Sequence, residues 1–356
     1  MALHSLPMIT GGSPLLHLPN DLLDHIVSYL TRPDLLTLRL VSQAIHFRTS
    51  DRTFRTCYSI VRGAFWMPYS LYNLRAILRH KKLSTWVDCV GIHVDRLLLA
   101  EDDQVQHCDK GCSNDAVLRE EYNAFVTDMQ HQAGDGGAIA AYLDEIFTLY
   151  AEKCAQRSDI PSIHIVDQEH DLTIARQIDG VEDNAALPLR LLEKKYGKLV
   201  TYHDKLDCSA EIALILSRID AAGLSPGYLQ IGSNTFGVPI KMFRPPSVFN
   251  GDSRVFASIN ELHLNVQGTP PVEADAAMRD KDVEHAADFW RAVGARIRRL
   301  VWASQLNDLD SDKAGDALYS SDLVLERLHR DAATVFPNLL YLYFRLLIFS
   351  DSERLL

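Results

Sequence analysis

The densest clustering of apolar positions in this chain lies between Leu18 and Arg55, where leucine, isoleucine and valine recur at helical spacing. Leu22, Leu23, Ile26, Val27 and Leu30 form one broad apolar face. Pro19 in the first turn, with Asp21 and Asp24 near the positive end of the dipole, predicts a helix there. Thr31 to Asp34 has the spacing of a capping box with Pro33 in its first turn, so a second helix is expected at once. Its positions Leu35, Leu38, Val41 and Ile45 make one apolar side, and Leu36 and Leu40 serve another. A helix apolar on two sides needs two neighbours. A segment of about forty residues cannot bury so many large side chains on itself. One neighbour is expected to be this protein, and the other is open.

After Arg55 the pattern changes. Short runs with strand character follow helix-like stretches at Cys57–Val61, Val87–Val94, Ser162–Val166, Tyr228–Ile231, Glu261–Val266, Arg299–Ala303 and Leu339–Phe349. The intervening helical patterns cover Leu71–His80, Ala138–Arg157, Ala210–Ala222, Val283–Arg296 and Asp322–Val335. Such alternation predicts a mixed α/β fold with a parallel sheet and helices packed outside it. From Tyr228 onward the strand starts lie about 30–40 residues apart, a spacing that suggests stacked repeats, and a compact α/β domain is the alternative. Polar segments near 101–117, 132–137, 167–188, 267–282 and 305–320 read as loops. Leu339–Leu356 ends without the polar cap that solenoids carry, which leaves open a covering loop or a truncated gene product.

Composition is that of a globular protein, with 47% hydrophobic and 23% charged residues. The net charge of −11 conceals a polarity: residues 1–100 carry +5 and the remainder −16. Ten Lys and Arg fall between Arg32 and Lys82, against Asp34 and Asp51. No nucleic-acid motif accompanies them and the rest of the chain would repel phosphate, so an acidic protein partner fits better than nucleic acid. Six scattered cysteines and the lack of a cationic segment in residues 1–14 imply reduced thiols in the cytoplasm or nucleus. The longest apolar run, Leu339–Phe349, contains Arg345 and is about half the length of a membrane helix, so no membrane association is expected.

The chain offers little catalytic chemistry. His107, Cys108 and Cys112, with His131 as a possible addition, lack a second set at zinc-site spacing. Gly134-Asp135-Gly136-Gly137 precedes a helical pattern but has neither the Lys-Ser/Thr of a P-loop nor the order of a dinucleotide site. No nucleophile elbow or HExxH motif occurs. No catalytic residue, metal site or cofactor is therefore assigned.

The segment around residues 15–60 resembles an F-box, and 15–56 is taken as that domain, with 57–356 as the α/β region. The resemblance rests on Leu18-Pro19, an acidic residue, the paired leucines, Ile26 and Leu30, then Asp34-Leu35-Leu36 and Leu38-Arg39-Leu40-Val41-Ser42. Asp21 stands where the family more often has Glu, and Phe54 where it often has Trp. The resemblance implies a three-helix domain that binds a Skp-type adaptor, and through it a cullin, in a ubiquitin ligase. The adaptor contacts it implies are Leu18, Pro19, Leu22, Leu23, Ile26, Leu30, Leu35, Leu38, Val41 and Ile45. Ser258–Leu264 and Phe336–Leu342 resemble the strand entry of leucine-rich repeats, as in a large fungal group of F-box proteins, although the spacings are uneven. The implied protein is a non-catalytic substrate receptor whose repeats form an irregular solenoid and display an unidentified protein substrate. Two alternatives stay open: an adaptor-binding scaffold outside any ligase, and an α/β enzyme with an unrecognised site.

Overall fold

A computed structural model describes residues 18–30, 32–41, 43–94, 115–133, 137–166, 208–232, 237–267, 276–306, 324, 327–328 and 332–348. Thr31, Cys108, Cys112, the glycines at 134 and 136 and the segments 167–188 and 307–320 lie outside these residues, as do the side chains of Leu35 and Leu36. The described residues divide into two compact units, one ending at Ser59 and the other beginning at Ile60.

The first unit consists of α1 (Asn20–Ser28), α2 (Arg32–Val41) and α3 (Gln43–Tyr58). Pro19 precedes α1 and is not in its first turn. With φ −53° and ψ 150°, its carbonyl accepts the Leu23 N–H at 3.0 Å, and its own missing N–H is no loss there. The apolar series expected to run through one helix from Leu35 to Ile45 is divided between α2 and α3. α3 packs on both preceding helices. Leu23 and Val27 are buried, with Leu30 and Leu38 packed against them. Arg48 of α3 holds the entry to α1: its Nε donates to Asn20 Oδ1 at 3.0 Å, and its Nη2 donates to the Leu18 carbonyl.

The second unit is built on one parallel sheet: β1 (Ile60–Ala64), β2 (Cys89–His93), β3 (Ser162–Val166), β4 (Tyr228–Ile231), β5 (Val238–Pro239), β6 (Glu261–Gln267), β7 (Arg299–Leu306) and β8 (Tyr341–Ile348). The order is β1-β2-β3-β4-β6-β7-β8, with the short β5 beside β6. Cys57 and Tyr58, read from the pattern as strand, instead end α3, and the first strand starts at Ile60. The helices are α4 (Pro68–Arg79), α5 (Asp115–Ala133), α6 (Gly137–Arg157), α7 (Ser209–Ala221) and α8 (Ala276–Val293). Two expected loops give way early. Helix α5 begins at Asp115 within 101–117, and α8 begins at Ala276 within 267–282, where Ala276, Ala277 and Met278 are good helix formers. Asp282 then anchors α8 through a two-pronged pair with Arg244, whose Nη2 lies 2.6 Å from Oδ2. β7 likewise extends to Leu306, past the start expected for the 305–320 loop.

Strands added in chain order by right-handed crossovers place their connections on one face of the sheet. The register matches that reading. Val61, Val90, Ile163, Leu229, Leu262 and Leu300 form one apolar row, and Gly63, Ile92, Ile165, Ile231, Leu264 and Trp302 the next. A Cβ on Gly63 would stand 3.0 Å from Leu71 and Leu74 of α4, which identifies this as the helix-covered face. Toward the far end, Trp302 packs on Trp290 of α8 with ring centroids 5.0 Å apart. Replacing Trp302 with Ala removes the largest filler of that row. The expected loss is about 3–5 kcal/mol in urea denaturation of the whole chain. A value below 1 kcal/mol would show that the row is not the core.

Candidate functional site

The sequence-derived residues and the sheet register point to two surfaces of the described residues, one in each unit. The first is the outer side of the helices before Ser59. On α1 the apolar residues form two adjacent stripes. Leu23 and Val27 turn inward, while Leu22, Ile26 and Tyr29, spaced i, i+4 and i+7, remain exposed. Leu22 is 52% exposed and Tyr29 75%. On α2, Leu40 and Val41 are exposed at 87% and 70%. Apolar side chains grouped this way on so small a unit mark a surface that meets something else.

This geometry sorts the residues singled out from the sequence. Pro19, Leu22, Ile26 and Val41 face outward, Leu18, Leu30 and Leu38 are half-buried, and Leu23 and Ile45 are buried. The side chain of Leu35 lies outside the description. Ile45 sits in α3, where Thr49 Oγ1 donates to its carbonyl at 2.7 Å. Tyr29, Leu40 and Phe47 are exposed and were not among the ten. Leu40 carried a signal, as a member of the second apolar side of its helix. Phe47 did not, because its neighbours in α3 are polar and charged.

The second surface is the face of the sheet opposite the helices. One register row there reads Arg62, Gly91, His164, Gln230, His263, Val301 and Tyr343, and the row beside it Cys89, Ser162, Tyr228, Glu261, Arg299 and Tyr341. The polar side chains engage across strands. Tyr228 Oη donates to Gln230 Oε1 at 3.0 Å and lies 3.2 Å from His263 Nδ1. His263 Nε2 is 3.1 Å from Glu261 Oε1, and Arg299 Nη1 is 3.4 Å from Glu261 Oε2. Arg299 in turn stacks over the Tyr341 ring at 5.3 Å. The His263 hydrogen bond holds the Glu261 carboxyl below its ordinary range, with Arg299 adding to the effect.

Toward the first strands this face becomes buried. The Arg62 side chain crosses Gly91, whose missing Cβ would stand 2.8 Å from Arg62 Cγ, and so reaches toward His164. His164 is fully enclosed, with its ring edge-on to Tyr228 at 5.2 Å. Burial pushes its pKa down to about 3, reinforced by the charges of Arg62, His263 and His93. The Glu261–His263–Tyr228 series has the order of a carboxylate–imidazole–hydroxyl relay. Burial raises the Tyr228 pKa and its proton is given to Gln230, the opposite of an activated nucleophile. Cys89 is also inert as a nucleophile, since burial pushes its thiol up to about 12. Among the described residues, no three His, Cys, Asp or Glu side chains are grouped to hold a metal ion.

The F-box domain family model matches residues 15–57, the segment that contains all three helices of the first unit almost to their end. No curated protein matches the chain.

Two outcomes are expected from the sheet face. His164 is neutral when folded and takes up a proton in the unfolded chain below its ordinary pKa near 6.5. Its contribution is therefore complete above pH 6.5 and declines as pH falls toward 3. Lowering the pH from 7 to 5 should cost about 2 kcal/mol through this group alone. Urea titrations of wild type and His164→Gln should differ in that pH slope; parallel slopes would remove His164 from the account. Gly91→Ala should cost about 1–3 kcal/mol, because the new methyl displaces the Arg62 side chain in a packed face. Thermal unfolding of the variant checks it.

Proposed function

We propose that this chain, an F-box protein through residues 15–57, is a substrate-receptor subunit of a Skp–cullin–F-box ubiquitin ligase. The F-box match carries the reading, because that domain suggests the Skp-binding role typical of such receptors. The exposed stripe of Leu22, Ile26 and Tyr29, with Leu40 and Val41, supports it by supplying the apolar surface an adaptor would cover. In this reading Leu23 and Ile45 act indirectly, by holding the helices that present the stripe. Leu18, Leu30 and Leu38, each half-buried, share both tasks.

The second unit displays the substrate, on the end of the strand face formed by β6, β7 and β8. Arg299, Val301, Tyr341 and Tyr343 are neighbours there and are at least partly open to solvent. Tyrosine and arginine are the residue types that concentrate binding energy in protein interfaces. The receptor needs no catalytic group of its own, since ubiquitin passes to a substrate lysine from a thioester on another subunit. What it contributes is proximity and orientation. It works in the cytoplasm or nucleus. Among the described residues no helix is long and apolar enough to cross a membrane.

Adaptor binding is the direct test. Purified chain is titrated into a Skp-type adaptor by calorimetry, comparing wild type with Leu22→Asp and Val41→Asp. Both positions are exposed, so circular dichroism of the variants should match wild type while binding is lost. Leu22→Ala should weaken binding by about 2 kcal/mol. Failure of the wild type to bind, or full binding by both aspartate variants, would overturn the reading.

A further inference from the structure

A third surface is left once the helices of the first unit and the strand face have been assigned. It lies in the second unit on α4 and the 3-10 turn that follows it, Leu83–Trp86. Residues 60–87 contain five Lys and Arg and no Asp or Glu, in a chain whose net charge is −11. On the outer side of α4, Tyr69 and Tyr72 are exposed, with ring centroids 6.5 Å apart and planes within 14° of parallel. The Arg75 guanidinium lies 5.0 Å over Tyr72 and 4.9 Å over Tyr142 of α6. Its Nη1 is 3.1 Å from Glu145 Oε2, and Glu145 also pairs with Arg79. One carboxylate thus pairs with two guanidiniums, and that of Arg75 lies against two tyrosine rings. Lys81 and Lys82 continue the stripe, both exposed, and the Lys82 ammonium stands 5.3 Å from the Trp86 ring.

We propose that this tyrosine- and lysine-faced stripe is a docking surface for a short acidic segment of a partner protein. Three observations favour that occupant. Among the described residues Arg75, Arg79 and Lys81 outnumber the Glu145 carboxylate, so carboxylates of a partner find complementary charge. The paired tyrosines present rigid, amphipathic area of the kind that anchors interfaces, with Tyr72 held between the Tyr69 ring and the Arg75 cation. The remainder of the chain, at −16 beyond residue 100, repels a long polyanion, whereas a short acidic segment need only meet the stripe. The stripe is made of residues other than those assigned to the adaptor and the substrate, and its test does not depend on them.

The probe is a fluorescein-labelled peptide of twelve residues, rich in Asp and Glu and carrying two leucines, titrated with the full chain at low salt. Its control is the same peptide with every carboxylate replaced by the amide. The acidic peptide should bind, and the amide control should bind at least about tenfold more weakly. Lys81→Glu/Lys82→Glu should abolish binding, and Tyr69→Ser/Tyr72→Ser should weaken it about tenfold. Lys81→Ala/Lys82→Ala replaces the charge reversal if that variant does not fold. Equal binding of the two peptides, or unchanged binding by the stripe variants, overturns the proposal. So does tighter binding of a twelve-nucleotide single-stranded DNA, which would make the stripe a nucleic-acid surface. Sedimentation showing self-association that the stripe variants remove would instead make the occupant a second copy of this chain.

Discussion

A parallel sheet that grows by one strand at a time, always at the same edge, leaves its residues little choice. Each crossover returns on the same face, so that face must be apolar from end to end. Side chains alternate with a period of two, so every second residue of every strand is committed to it. The rows from Val61 to Leu300 and from Gly63 to Trp302 meet that demand. Gly63 shows how tightly: the side chains of α4 already occupy the space its Cβ would need. A one-residue slip in β3, β4 or β6 would turn a leucine or isoleucine outward and a histidine or glutamine into the core. The apolar rows therefore set the register, and the register sets which polar side chains meet on the other face.

On that other face the partners come from different strands, brought level by the same ladder. Arg62 and His164 belong to one row with only Gly91 between them, and the absent side chain lets the arginine reach across. Charge alone would not hold this arrangement. The enclosed His164 stays neutral because desolvation and like charge both oppose its proton. The Arg299–Glu261 pair, at 3.4 Å and with the arginine mostly exposed, is worth at most about 1 kcal/mol. Packing and neutral hydrogen bonds, such as Tyr228 to Gln230, carry most of the order. The face changes from enclosed to open along the sheet, from Arg62 and His164 to Arg299, Tyr341 and Tyr343.

Much of this was readable from the chain where one period dominated. The strand starts at Ser162, Tyr228, Glu261 and Arg299 coincide with those of the structure, because strict alternation such as Ile163-His164-Ile165-Val166 has only one good solution. Helix α5 was not readable, since its apolar residues are too dilute to stand out from a loop. Cys57 and Tyr58 look like strand by residue type, but α3 continues through them. The end of α2 at Val41 and the start of α3 at Gln43 were also hidden: nothing in a leucine-rich series marks where one helix ends and the next begins without a glycine or proline. On the site, the apolar excess was visible and its division into inward and outward stripes was not. Leu22 and Leu23 are chemically identical neighbours, and only the packing of α3 decides which of them is buried.

That division has an energetic consequence for the first unit. Its described core includes Leu23, Val27 and Ile45, with Leu30 and Leu38 packed against the first two. Leu22, Ile26, Tyr29, Leu40 and Val41 meanwhile stay at least partly in water, and the aliphatic ones forgo part of the about 1.5–3 kcal/mol that full burial of such a side chain brings. Any protein that covers this stripe adds its binding energy to the folding energy of the unit, since the unfolded segment has no stripe to offer. Substitutions inside and outside then act through different routes. A change at Leu23 lowers binding by depleting the folded unit, and a saturating partner recovers much of it. A change at Leu22 leaves the fold and removes the contact, and an excess of partner can only fill a weakened site. If the stripe is covered as proposed, the two leucines, one residue apart, separate stability from recognition in the same helix.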